Sequence, residues 1–244
     1  MIDQTRAELL KIRSTRTTAG LLTALIGLVL LFVVLSGLLT KPFDLSHVED
    51  QRTLLSVGSF ASLFAAIAGV LVIANEYRYG TIRPTLLFTP QRTRVIGAKL
   101  AAGMLAGLVF GTAAAVLVYA IGRAILAGRG IDYVLDGHDV ALILLGSTVG
   151  TALWGGIGVG LGAILRNQVA SLIVLLAWIL IIDGTLFALV PEIGRLTPTG
   201  ALRALLGDTD SDLVSPAAGA ALLVAWVALL GGAGLLLTKR RDVD

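Results

Sequence analysis

Cysteine is absent from the 244 residues, which removes disulfides, thiol nucleophiles and cysteine metal sites, and leaves the redox compartment unread. Histidine is nearly absent: His47 and His138 fall in separate segments between apolar runs, and both read as solvated loop residues. With no H-E-x-x-H pair, a metal would need carboxylates from elsewhere in the chain. No G-x-S-x-G occurs, and no histidine lies inside an apolar run to serve as base for a serine. None of the four lysines closes a G-x-x-x-x-G-K-[ST] phosphate loop, so no nucleotide or other cofactor is expected on this chain. Charge is scarce as well, at 14% of residues. No catalytic site is expected.

What is present is apolar. Hydrophobic residues make up 56% and the mean hydropathy is +0.91, outside the range of soluble domains. A span of the hydrocarbon core takes about 20 apolar residues in a helix, because lipid offers no partner to a lone strand. Six stretches qualify, near 19–39, 54–74, 95–121, 140–165, 169–190 and 217–238. The expected fold is all-α, a single integral membrane domain over 1–244. The first run is read as an uncleaved span, since "TKPFDLSHVED" after it offers no small-residue cleavage site.

Arginine and lysine set the orientation. Thirteen lie in the N-terminus, the 75–94 segment and its continuation to Lys99, the turn at Arg166 and the C-terminus. Six lie on the other side, among ten of the sixteen acidic residues. The first side is expected to be cytoplasmic, with both termini there. Fifteen arginines to four lysines, with an Ala/Gly/Leu/Val bias, suggest a GC-rich bacterial genome and thus a bacterial cell membrane. The pI near 9.5 therefore reports topology and not nucleic-acid binding.

Residues 1–18 place Ile2, Leu9, Leu10 and Ile12 among Arg6, Lys11, Arg13 and Arg16, which suits an interfacial helix. Glycine, at 29 copies, recurs every fourth residue: Gly103, Gly107 and Gly111, then Gly146/Gly150, Gly156/Gly160 and Gly158/Gly162. Such spacing lines one helical face for close backbone approach, between spans of one chain or across a dimer, and it is also ordinary in glycine-rich membrane helices. Asp183 is an acidic residue inside a span, or at its outer boundary if that helix ends early; the first placement makes it a candidate substrate or proton contact. Between the last two spans, Thr197 as cap, Pro198 at the first position, the stripe Ala201, Leu202, Leu205, Leu206 and the stop Gly207 predict a short amphipathic outer helix.

The least apolar stretch of the first half is "NEYRYGTIRPTLLFTPQRTR", residues 75–94. Gly80 and Thr81 favour a turn, and Pro84 can open a short helix carrying Thr85, Leu86, Leu87 and Phe88 that Pro90 closes. Its three apolar side chains must bury in something, either a partner or the lipid interface.

Extended to "NEYRYGTIRPTLLFTPQRTRVIGAKL", this stretch resembles the signature loop of the type-2 ABC exporter permease family. Members carry a glutamate, Gly-Thr, a short helix and an arginine before an Ala-Lys pair opening the third span. Here these are Glu76, Gly80-Thr81, Arg92 or Arg94, and Ala98-Lys99. The layout of the whole chain is similar too, while Pro84 departs from the pattern inside the expected helix and puts its start at or after that residue.

The resemblance implies a coupling helix that docks in a cleft of a separate cytoplasmic ABC ATP-binding subunit, with ATP and Mg held there. Leu86, Leu87 and Phe88 would fill the cleft, with Glu76 and Arg83 at its rim and Tyr79, Thr81, Thr85 and Arg92 in the same contact. The chain would pair with a second permease, identical or related, and export an amphiphilic solute through the lipid bilayer. Few inward polar candidates accompany Asp183, namely Thr148, Thr151, Ser171, Trp154 and Trp178. A non-transporting scaffold or sensor subunit that recruits a cytoplasmic partner is the alternative. A secondary transporter fits less well, for want of intramembrane charges and proline-interrupted spans.

Overall fold

The structure is a computed structural model that describes residues 2–88, 91–209 and 213–240. All regular structure among them is helical, and six helices are long and apolar enough to cross a membrane. They run Arg16–Leu39, Val48–Arg78, Arg92–Gly128, Gly137–Leu165, Gln168–Leu189 and Pro216–Arg240, here numbered as the first to sixth spans. Each covers its expected stretch, except that the fifth stops at Leu189, one residue short. Two overrun it substantially: the second begins at Val48, and the third continues to Gly128.

Local chemistry accounts for the breaks. Thr15 in extended backbone separates the N-terminal helix Ile2–Ser14 from the first span. Asp136 and Asn167 cap the fourth and fifth spans through Asp139 N–H (2.7 Å) and Ala170 N–H (3.0 Å). Between those spans Arg166 takes the left-handed conformation, φ 53°, and donates its backbone N–H to Gly162 O. Thr197 accepts from Gly200 N–H to open the helix Pro198–Leu205, with Gly207 at φ +71° just beyond.

The fourth span is the axis of the bundle, packed against the second, third and sixth. Its glycines make this possible. A Cβ at Gly158 would lie 2.1 Å from Ala66 O of the second span, and one at Gly155 2.3 Å from Gly103 O of the third. Gly107 and Gly111 abut Thr151 and Ser147, Gly146 and Gly150 abut Leu205 and Leu202, and Gly156 and Gly160 abut Val227 and Leu230. All these contacts join helices of one chain, so these glycines do not lie open for a dimer contact. The fifth span is the opposite case: Val169, Ile173, Leu180 and Ile181 are exposed, as on a surface that lipid would cover. A π-helical segment, Trp178–Ile182, interrupts it just before Asp183.

Candidate functional site

Four charged residues from three elements meet at the end of the bundle where the N-terminal helix and the last turn of the sixth span lie. The N-terminal helix supplies Glu8 and Lys11, one turn apart; the end of the second span supplies Glu76; the start of the third supplies Lys99. Lys99 Nζ lies 2.9 Å from Glu8 Oε2 and 2.8 Å from Glu76 Oε1, and Lys11 Nζ lies 2.9 Å from Glu8 Oε1 and from Glu76 Oε1. The result is a closed ring of alternating sign with no formal net charge. Lys99 is fully buried (0% exposed), and it also donates to Val72 O at 3.3 Å.

Burial on this scale needs neutral pairing, because a lone charge out of water is costly. Lys11, with its side chain 53% exposed, is the ring's contact with solvent. Burial works against its charged form, but the hydrogen bonds to Glu76 and Glu8 and their charges prevail and raise its pKa above the ordinary 10.5. Glu76 is 6% exposed, and its Oε2 has no hydrogen-bond partner among the described residues.

This corrects the expected role of Glu76. In place of a carboxylate turned outward to the rim of a partner's cleft, it anchors the root of the following loop inside the protein, where two ammonium groups hold it. Arg92 is likewise engaged inward, donating to the carbonyls of Thr238 and Lys239 at the end of the sixth span. The N-terminal helix differs from a purely lipid-seated helix, since Glu8 is buried against the bundle while Leu10 faces out.

Beyond Glu76 the second span ends at Arg78, Gly80 turns at φ +68°, and a helix covers Ile82–Phe88. It starts two residues before Pro84, which sits within the first turn where a missing N–H breaks no helical bond. Ile82 is buried, pinning the start, whereas Tyr79 is 68% and Leu87 80% exposed. Thr85 is half-buried, its hydroxyl donating to Thr81 O at 3.0 Å. The side chains of Arg83, Leu86 and Phe88, and Pro90 as a whole, lie outside the described residues. Arg78 ties the loop's root to the fifth span through Gln168 Oε1 at 2.7 Å.

Between the N-terminal helix, the first two spans and the loop lies a groove of about 570 Å³, which has Glu8, Lys11 and Glu76 at its polar end. Sequence reading missed the groove and the ring. The available signals were Lys99, a cation in an otherwise apolar run, and Glu8 one turn before Lys11.

Asp183 lies near the far end of the fifth span, 2% exposed, and Thr199 of the Pro198–Leu205 helix donates to its Oδ2. It does not join the ring. It fastens the 198–205 helix to the fifth span, with Oδ1 lacking a partner among the described residues. Of the other inward polar candidates, Thr151 and Trp154 are buried within span packing and Ser171 donates to Asn167 O. No group of three or more His, Asp and Glu among the described residues is placed to hold a metal. No model of a known protein family matches this chain, and no curated protein matches it.

Proposed function

We propose that this chain is the membrane-spanning subunit of an ATP-driven exporter of the type-2 ABC permease kind, acting as one of a pair beside two ATP-binding subunits that hold ATP and Mg. The observation that carries the reading is the 79–88 segment. It presents Tyr79 outward just after the second span and Leu87 outward on the short helix that follows, while Glu76 at its root is locked to the second span's neighbours by two lysines. An apolar side chain so exposed at the end of a membrane bundle is suited to a partner's cleft. A root so fastened would pass movement of that partner to the second span, the third span and the N-terminal helix together.

In this reading the ring end faces the cytoplasm, as the positive-inside rule requires, and the N-terminal helix lies in the interface of a bacterial cell membrane. The ring makes the three elements one lever. The solute would be amphiphilic, given a bundle whose interior polar groups are few.

The test is purification of the tagged chain from its native membranes in mild detergent, beside a Tyr79→Ala, Leu87→Asp double variant. An ATPase that accompanies the wild type alone is the expected result. A folded wild type that brings no ATPase would remove the reading's support and favour a scaffold or sensor subunit.

A further inference from the structure

The last turn of the second span meets the turn between the fourth and fifth spans through two arginines. Arg78 donates to Gln168 Oε1 at 2.7 Å. Arg166, whose guanidinium carbon stands 5.5 Å from the centre of the Tyr77 ring, donates its Nη2 to Leu237 O of the sixth span at 3.0 Å. It is the one described residue other than glycine with a positive φ, 53°. Glycine would take that backbone without strain, whereas an arginine there bears the strain and brings a guanidinium to the junction.

Charge at this junction is unbalanced. Among the described residues no carboxylate forms an ion pair with Arg78 or Arg166. Glu76, two residues before Arg78, is held on Lys11 and Lys99, and Glu8 is held by the same two lysines. Further cations stand close by: Arg92 donates to Thr238 O and Lys239 O at the helix end that Arg166 also reaches, and Lys239 and Arg240 belong to that last turn. The carbonyl end of a helix carries only about half a negative charge, too little to offset them. The donors are also open. Arg78 is exposed with Nε and Nη2 unbonded, and Arg166 Nη1 makes no hydrogen bond and, unlike its buried Nε, reaches the surface. The second span ends at Arg78 and the fifth begins at Gln168, which sets both arginines at the depth of lipid phosphates. On the bilayer side of them Val169 and Ile173, one turn apart on the fifth span, are exposed.

We propose that this junction binds an anionic phospholipid, its phosphate held by Arg78 and by Arg166 Nη1 and one of its chains laid along Val169 and Ile173. The free Nε and Nη2 of Arg78 are the pair that grips a phosphate through two parallel bonds. A zwitterionic head offers the same phosphate but brings a cation that the surrounding guanidinium groups repel, so the site selects by net charge. This proposal stands apart from the transporter reading, since no ATPase enters its test.

The test is native mass spectrometry of the intact chain in detergent, with dioleoyl phosphatidylglycerol or dioleoyl phosphatidylcholine added at equal concentration. The expected result is retention of the glycerol lipid about tenfold or more over the choline lipid, the order that two cations near a membrane surface supply. The double variant Arg78→Gln, Arg166→Gly should bring that ratio close to one; its new glycine keeps the left-handed turn, and circular dichroism checks the fold. Should the double variant not fold, Arg78→Gln alone, a change at an exposed side chain, should lower the ratio about threefold or more. Arg13→Gln with Arg16→Gln, two exposed arginines of the same end away from the junction, should leave the ratio as in wild type. Equal retention of the two lipids by wild type, an unchanged ratio in the folded junction variants, or an equal fall in the Arg13, Arg16 variant would overturn the site. Inorganic phosphate at the concentration of the lipid should fail to displace it. Displacement would assign the junction to a soluble anion and overturn the lipid proposal.

Discussion

The two ends of the bundle are both held by buried polar groups, but the partners differ in kind. At the end of the terminal residues, Glu8, Lys11, Glu76 and Lys99 bind one another's side chains across three helical elements. At the far end, Gln51 and Arg129 reach backbone, and Arg52 reaches both a backbone carbonyl and the Asp139 carboxylate. Gln51 donates to Leu45 O (2.9 Å) and Asp132 O (2.8 Å) and accepts from Val134 N–H (3.1 Å), and Arg129 donates to Gly37 O and to Thr40 O (2.8 Å). Arg52 joins Asp139 to Gly207 O.

Backbone carbonyls at a helix end have one position, fixed by the helix, so the far end is a clasp over loops that would otherwise leave carbonyls unmatched. Side-chain partners can be exchanged for other ions or head groups of like charge. In the proposed function the ring end is where a partner would act, while the far end closes loops over the spans.

The sharpest way to break this comparison is Lys99→Met. It leaves two buried carboxylates with only the half-exposed Lys11, and should cost about 3–5 kcal/mol, the penalty for breaking a buried pair. A large fall of the thermal midpoint in detergent is the check; a midpoint within that of surface variants would mean that the ring holds nothing. Gln51→Leu at the clasp should cost less, about 1–3 kcal/mol for the stranded backbone groups. Limited proteolysis should then open the segments around Leu45 and Asp132 before the ring end is cut.

Between the ends, Gly158→Ala should cost about 1–3 kcal/mol by forcing the second and fourth spans apart. Gly20→Ala, where an added Cβ meets nothing within 4 Å, should cost nothing or stabilise slightly. Equal effects on the two midpoints would deny the close approach. A small effect also belongs to Lys11→Met, below about 1 kcal/mol because solvent screens the half-exposed ammonium.

Its signature is in pH. Lys11 is flanked by Glu8 and Glu76, with Lys99 on the other side of both, and its folded pKa is raised. The stability it adds is therefore complete below the ordinary pKa of 10.5 and is lost as pH climbs from there through the raised folded value. Thermal midpoints of wild type and Lys11→Met measured across that window should converge at its alkaline side.

Much of the fold was legible because lipid leaves the backbone little choice. A run of about 20 apolar residues must be a helix there, and six such runs produced six helices. Thr197 and Pro198 were equally readable, since capping is settled within one turn of chain. The four-residue spacing of the glycines marked a close-packing face, yet nothing local told Gly158 to meet Ala66 or Gly160 to meet Leu230. Pro84 misled the placement of the loop helix by two residues, because a first turn tolerates proline beyond its opening position.

By itself, then, the sequence determined the helical class, the six apolar stretches, the Thr197 cap of the outer helix and the absence of familiar catalytic motifs, all of which follow from local composition and short-range hydrogen bonding. Tertiary structure alone decided that Glu76 faces inward to Lys99, that Glu8 completes their ring from 91 residues away and that Arg92 serves the end of the sixth span. The reason is physical. Whether a charge is exposed to water or sealed in a neutral cluster depends on which distant charges the packed helices bring within about 3 Å, and no local pattern encodes that distance.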